Sequence, residues 1–211
     1  MNVFEKINEN PIVAVIRKAD ENNIIPIVEA LEKGGVKAIE ITAETPKVTA
    51  LIERTAEEFA DRVLIGAGTV LDPETARSVI MAGAKFIVSP TLNPDTIRMA
   101  NRYGILTISG ALTPTEILTA YENGAGMVKV FPANAFGPDY IKNIHGPLPH
   151  IPLMVTGGIT LENMNEYFTK GGVAVGIGSN LVNVKALNTP DDYRLLTDKA
   201  RQFADKVNEI K

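Results

Sequence analysis

A repeated unit narrows what this chain can become more than any other feature. Short apolar runs recur along its whole length: Ile12–Ile16, Ala38–Thr42, Val63–Ala67, Phe86–Ser89, Leu106–Ser109, Met127–Phe131, Leu153–Thr156 and Val173–Ile177. Most are rich in Val and Ile, as buried strands of a parallel sheet should be. Amphipathic stretches with helix signals lie between them. Thr45-Pro46, Asp72-Pro73, Asn93-Pro94 and Thr113-Pro114 each put a capping oxygen directly before a proline, whose missing N–H costs nothing at the first helical position. Gly34-Gly35, Gly83, Gly104, Gly124 and Gly171-Gly172 stand at the other ends, where a left-handed residue closes a helix.

Three segments, 68–90, 110–132 and 157–179, align by eye as glycine, cap, helix, glycine, strand. Eight such units average about 26 residues, the length of a strand–helix pair. Strict alternation argues for a parallel sheet covered by helices, and eight units favour closure into a (β/α)₈ TIM barrel. The expected organisation is one barrel domain over 1–211, with an N-terminal lead-in and a C-terminal helix. That helix, from Asp191 to Lys211, would carry Leu195, Leu196, Ala200, Phe203, Ala204 and Val207 on one stripe. An open doubly wound sheet is the alternative. Its G-x-G-x-x-G turn is missing, because Arg17-Lys18-Ala19-Asp20 follows the first strand.

Composition removes several chemistries. The chain has no cysteine, which excludes disulfides, thiolate metal sites and a cysteine nucleophile. Its two histidines, His145 and His150, cannot make a three-histidine metal site. A net charge of −4 gives no sequence-wide pull toward nucleic acid or anionic membrane. The acidic N-terminus lacks the marks of a signal peptide, and no apolar run approaches the ~20 residues of a membrane span. The expectation is a soluble, cytoplasmic protein with no nucleic-acid or membrane partner.

Side chains on a strand alternate between two faces. On the second strand Ile39 and Ile41 suit the helix-packed outside, so Ala38, Glu40 and Thr42 should point into the barrel. On the sixth, Val128 and Val130 suit the outside, leaving Met127, Lys129 and Phe131 inward. Val13, Val15 and Arg17 share a face of the first strand, with Arg17 at its C-terminal end. Strands two and six lie opposite each other in an eight-membered ring. Glu40 and Lys129 would therefore face each other at the end where barrel active sites lie. One reading is a buried ion pair with no further role. The other is a Schiff-base lysine with a carboxylate proton shuttle. The second needs a neutral amine, and half-neutral lysine at pH 7 requires a downward shift of about 3.4 units from ~10.4, within reach of desolvation.

Glycines supply the other signals. Thr156-Gly157-Gly158 follows the seventh strand and Gly176-Ile177-Gly178-Ser179 ends the eighth. Loops after these strands commonly hold phosphate through backbone N–H groups, though the same glycines could simply make tight turns. Gly66-Ala67-Gly68-Thr69 leaves room inside the barrel for a ligand or for packed neighbours, and Thr69 could donate a hydroxyl. The serines of Ser89-Pro90 and Ser109-Gly110 read as helix caps.

Taken in order, Glu40-Ile41-Thr42, Gly66-Ala67-Gly68-Thr69-Val70, Phe86-Ile87-Val88-Ser89-Pro90, Lys129-Val130-Phe131-Pro132-Ala133, Thr156-Gly157-Gly158-Ile159 and Gly176-Ile177-Gly178-Ser179 closely resemble the 2-keto-3-deoxy-6-phosphogluconate / 4-hydroxy-2-oxoglutarate (KDPG/KHG) aldolase family, from about Pro11 to Val182. The resemblance implies a class I aldolase on a (β/α)₈ barrel. It would need no metal or other cofactor, act on a small keto-acid and commonly form a homotrimer. By matching motif, Lys129 would form the Schiff base and Glu40 would be the acid–base. Thr69, Pro90, Phe131 and Thr156 would line the keto-acid end, and Gly157, Gly158 and Ser179 would bind phosphate. Pyruvate would be released with glyceraldehyde 3-phosphate or glyoxylate.

The chain also departs from the family. Several members have a carboxylate-gripping arginine where this chain has Glu44; Thr91 replaces a common glycine, and Ser109-Gly110 a common Pro-Gly. Arg17 is the natural substitute for the missing arginine, with a rim salt bridge as its other reading. These departures bear on substrate identity. The alternatives are a 2-keto-3-deoxy-6-phosphogalactonate substrate, a barrel that binds a phosphorylated sugar acid without turning it over, and a phosphate-sugar isomerase or epimerase on the same fold, which would not need Lys129 to form a covalent link.

Overall fold

In the computed structural model, which describes residues 1–209, each of the eight apolar runs becomes a strand. The strands are β1 (Ile12–Ile16), β2 (Ala38–Thr42), β3 (Leu64–Gly68), β4 (Phe86–Val88), β5 (Leu106–Ala111), β6 (Met127–Val130), β7 (Leu153–Thr156) and β8 (Gly172–Ile177). Each pairs in parallel with the next, and β8 returns to β1, closing the barrel. The helices are α1 (Val3–Glu9), α2 (Ile24–Lys33), α3 (Val48–Phe59), α4 (Pro73–Met81), α5 (Pro94–Arg102), α6 (Pro114–Glu122), α7 (Pro138–His145), α8 (Met164–Thr169) and α9 (Pro190–Asn208).

The cap-and-proline signal holds at three of its four expected places. The side chains of Asp72, Asn93 and Thr113 accept from backbone N–H groups at the starts of α4, α5 and α6. Thr189-Pro190 starts α9 in the same way. Thr45-Pro46 does not start a helix. α3 begins only at Val48, after a left-handed Lys47, and buried Thr45 uses its Oγ1 to accept from the Lys18 N–H at 3.2 Å. The local signal loses there because the hydroxyl ties the β2–α3 loop to the β1–α2 loop. Ser89 is likewise not a helix cap: its Oγ donates to the Thr91 carbonyl at 2.7 Å and accepts from the Gly110 N–H at 3.3 Å.

The C-terminal helix buries Leu196, Ala200, Phe203 and Val207. Leu195, expected on that stripe, is 59% exposed, because its neighbour Leu196 takes the inward position. Lys211, the expected end of the helix, lies outside the described residues. α9 lies close to the end of α2, where a Cβ on Gly34 would stand 2.4 Å from the Ala200 Cβ. No helix among the described residues is long and apolar enough to cross a membrane.

Apolar packing occurs in two layers. Ile12, Ala14, Ile16, Ile39, Ile41, Val128 and Val130 face outward into the layer under the helices. Val13, Ala38, Phe86, Val88, Ile108, Met127, Met154 and Ala174 fill the lumen, and Ile7 of α1 packs with them. The N-terminal lead-in is thus a helical plug. Full burial of each large side chain contributes about 1.5–3 kcal/mol.

Candidate active site

The two layers fix where the polar residues of the strands go. With Ile39 and Ile41 outside and Ala38 inside, Glu40 points into the lumen, and by the same alternation so does Lys129. Glu40 is 0% exposed and Lys129 3%, the only Asp, Glu, Lys or Arg buried among the described residues. Buried charges are normally paired and hydrogen-bonded. Here both Glu40 carboxylate oxygens lack a hydrogen-bond partner among the described residues, so the simple structural ion pair is not formed. Lys129 instead holds its Nζ 5.3 Å from the centroid of the Phe131 ring.

Burial dominates the charge state of both groups. It pushes the Glu40 carboxyl above its ordinary range, outweighing the attraction of Lys129. It pulls the Lys129 ammonium below its ordinary range, outweighing Glu40. Desolvation penalises whichever form is charged, so both groups move toward neutrality. A neutral amine is a nucleophile, and a carboxyl that gives and takes a proton readily is an acid–base.

Glycines hollow the barrel around this pair. Glu40 is in register with Gly66, and Lys129 with Gly110. A Cβ on Gly68 would lie 2.6 Å from Glu40 Oε1, and one on Gly176 would lie 2.4 Å from Thr156 Oγ1. A Cβ on Gly110 would come within 2.2 Å of the Pro90 backbone. Thr156 is buried, with its hydroxyl unpartnered among the described residues. Thr69, half-buried at the end of β3, has φ 55°, a strained backbone for a β-branched residue and one that fixes its direction at the mouth.

A cleft of about 180 Å³ opens above Lys129. Arg17, Lys129, Phe131, Thr156, Gly157, Gly158 and Ser179 all line it. Glu40, Thr69 and Pro90 do not. Glu40 lies buried, and Thr69 and Pro90 follow β3 and β4, across the ring from the glycine loops. Gly157 and Gly158 have φ of 105° and 70°, which side-chain-bearing residues rarely adopt. Asn180 donates from Nδ2 to the Ile159 carbonyl at 2.8 Å, joining the loops after β7 and β8 into one rim. Asn163 donates to the Gly158 carbonyl at 2.9 Å. Sequence reasoning missed both asparagines; Asn180 directly follows the glycine–serine motif, but nothing local marks it as a tie.

Arg17 is half-exposed at the rim, and its Nη1 donates to the Glu44 carboxylate. The rim salt bridge is therefore formed, and Arg17 still borders the cleft. Among the described residues, no group of three or more His, Asp or Glu is placed to hold a metal.

Residues 3–197 match the sequence profile of the KDPG and KHG aldolases. The chain is 37% identical over 172 residues to the 2-dehydro-3-deoxy-6-phosphogalactonate aldolase of Escherichia coli, covering 81% of this chain and 84% of that one. It superposes with a TM-score of 0.84 on the KDPG aldolase of Legionella pneumophila, solved with pyruvate captured as a covalent carbinolamine; the two are 31% identical over 91% of this chain and 93% of that one. A cube-shaped cage designed by fusing symmetric oligomeric domains contains a similar barrel, with a TM-score of 0.86 and 33% identity over 94% of this chain and 74% of that one. Fold, buried lysine and relatives together define a barrel aldolase, a carbon–carbon lyase. Within that class, the chain belongs to the KDPG and KHG aldolase family, whose chemistry is of the class I, Schiff-base type.

Proposed function

We propose that this chain cleaves 2-keto-3-deoxy-6-phosphogluconate, 4-hydroxy-2-oxoglutarate or both, with Lys129 as the imine-forming residue and Glu40 as the acid–base. One observation carries the reading: the only two buried charged residues among the described residues share a lumen emptied by glycines, and neither oxygen of the Glu40 carboxylate has a hydrogen-bond partner there. Lys129 Nζ attacks the ketone carbon beside the substrate carboxylate, and the protonated Glu40 carboxyl gives its proton to the departing hydroxyl, so that loss of water leaves a cationic imine and a Glu40 carboxylate. The Glu40 carboxylate takes the proton of the hydroxyl on the far side of the scissile bond. That bond breaks, its electron pair flows into the iminium to give an enamine, and the aldehyde departs as glyceraldehyde 3-phosphate or glyoxylate. Glu40 returns its proton to the enamine carbon, and water hydrolyses the cationic imine to release pyruvate and neutral Lys129, the proton set free restoring the Glu40 carboxyl. The iminium is the electron sink, so the cycle needs no metal and no other cofactor.

In this reading the Arg17 guanidinium grips the substrate carboxylate with the donors that Glu44 leaves unused. Thr69, Pro90, Phe131 and Thr156 line the keto-acid end, and the backbone of Gly157, Gly158 and Ser179 holds phosphate. A 2-keto-3-deoxy-6-phosphogalactonate substrate is the second reading, favoured by the 37% identity to the E. coli phosphogalactonate aldolase. Assembly as a homotrimer accords with the symmetric oligomeric domains of the designed cage. A phosphorylated substrate does not cross membranes unaided, which fits work in the cytoplasm. The test is intact-mass spectrometry after pyruvate and borohydride, followed by peptide mapping. A single reduced pyruvyl adduct on Lys129, lost in Lys129→Ala, is the expected result. No adduct under conditions that label a known class I aldolase would overturn the mechanism.

A further inference from the structure

The loop after β2 carries an acidic residue at the mouth of a site built for anions, a placement that works against substrate unless the charge is otherwise used. Glu44 does not stand free. Its carboxylate accepts from Arg17 Nη1, and Arg17 lines the same cleft as Lys129, Phe131 and Thr156. The base from which Glu44 projects is fixed on both sides. The Ala43 N–H donates to the Gly68 carbonyl at 2.7 Å, and the Thr45 N–H to the Thr42 carbonyl at 2.9 Å. Buried Thr45 accepts from the Lys18 N–H, directly after Arg17, and its Oγ1 lies 3.3 Å from Thr42 Oγ1. Farther out, Lys47 pairs with Glu21, and Arg54 donates to the Glu21 carbonyl. The β1–α2 and β2–α3 loops are thus clamped along one wall of the mouth.

We propose that Glu44 is a positioning residue for Arg17: it commits one edge of the guanidinium to the protein so that the other edge faces the carboxylate of the bound keto-acid. An untethered arginine at a rim samples many rotamers and must lose that freedom on binding, whereas a held one has lost it beforehand. A guanidinium suits this division because its five donors form a rigid fork, and one Nη can bond to protein while Nε and the other Nη remain. Glu44 also balances charge. Arg17 and Glu44 act in opposite senses on both Glu40 and Lys129, so the tether cancels part of the field that a bare guanidinium would impose on the buried pair.

This inference rests on the imine reading of Lys129 and on Arg17 as the carboxylate grip. Its test separates the three by titrating pyruvate, which carries a carboxylate and no phosphate, into borohydride labelling of the unmodified protein and of Arg17→Ala, Glu44→Ala, Glu44→Gln and Arg17→Ala/Glu44→Ala. Arg17→Ala should raise the half-saturating pyruvate concentration about tenfold or more, as loss of a charge-assisted contact does. Glu44→Ala should raise it about three- to fivefold, Glu44→Gln less because its amide oxygen still accepts, and the double variant no further than Arg17→Ala alone. In cleavage assays Glu44→Ala should change KM with kcat within about twofold, while the pH profile of kcat moves to lower pH as the Arg17 charge goes unopposed. Additive effects in the double variant, or a lower half-saturation in Glu44→Ala, would overturn the proposal, the latter making Glu44 a competitor for Arg17. An unmoved half-saturation in Arg17→Ala would remove the carboxylate grip and this proposal with it, leaving Lys129 labelling intact. Absence of any adduct in the unmodified protein would remove the imine reading first, and the inference with it.

Discussion

The two ends of the barrel lumen are built from the same strands and have opposite character. At the floor, Val13, Ala38, Phe86, Ile108, Met127, Met154 and Ala174 close the space, with Ile7 of α1 among them. Two residues farther along the same inward faces come Val15, Glu40, Gly110, Lys129, Thr156 and Gly176, and the packing gives way to a cleft. On β2 the inward series runs Ala38, Glu40, Thr42; on β6 it runs Met127, Lys129. The floor spends volume on stability, and the mouth withholds it. Where the floor sets a Phe86 ring against Gly66, the mouth sets a carboxylate against Gly68. A protein of marginal net stability can carry two desolvated ionisable groups because the packed layer beneath them, and the apolar layer outside, supply the difference.

This contrast is sharpest for Lys129. Lys129→Met should lower cleavage at least ~10⁴-fold, as removal of a covalent nucleophile does, without lowering Tm, since an apolar chain of similar size replaces a desolvated amine. Pyruvate release by coupled assay and calorimetry on the same sample check both halves; a large drop in Tm would make Lys129 part of the scaffold and erase the distinction. At the floor, Phe86→Ala should cost about 3–5 kcal/mol in urea unfolding. Its folded fraction should still label at Lys129, and loss of labelling in folded protein would show that the floor also tunes the chemistry.

Gly68→Ala probes the boundary between the two. The new Cβ would stand 2.6 Å from Glu40 Oε1. Glu40 Cδ and Cγ would stand 2.8 and 3.2 Å from it, so the whole buried side chain has to shift. Displacing the proposed acid–base should lower kcat roughly 10–100-fold in the folded protein, with the folded fraction measured on the same sample by urea unfolding. The smallest effect concerns Glu40 and pH. Its folded pKa is raised from 4.5, so the folded state holds this proton more tightly than the unfolded chain. The associated stability is present below that value and is lost as pH rises through the folded pKa. Glu40→Gln cannot ionise, so its Tm should exceed that of the unmodified protein by a margin that widens from acidic toward neutral pH. A margin constant with pH would mean that Glu40 is not desolvated as its burial requires.

Much of the site is legible in the sequence because period-two alternation is local. Ile39 and Ile41 send Glu40 inward, and Val128 and Val130 do the same for Lys129, whatever the rest of the chain does. Cap-and-proline starts were legible for the same reason and failed where a distant partner intervened. At Thr45 the hydroxyl serves the Lys18 backbone across the mouth, so Pro46 lies in a loop. Leu195 illustrates a second limit: a helical stripe is wide enough to admit either of two adjacent leucines, and contact with the barrel selects Leu196.

The sequence by itself determined the eight strand–helix units, the inward faces carrying Glu40 and Lys129, and the glycine-marked loops after β7 and β8. Each depends on residues a few positions apart, where backbone geometry dictates direction. Tertiary structure alone decided that Glu40 lacks a hydrogen-bond partner among the described residues, that Arg17 pairs with Glu44, and that Asn180 ties two loops into one rim. Those outcomes join residues that are distant in the chain and adjacent only once the ring has closed. Barrel closure, by burying what it encloses, is also what pushes a lysine and a glutamate toward neutrality.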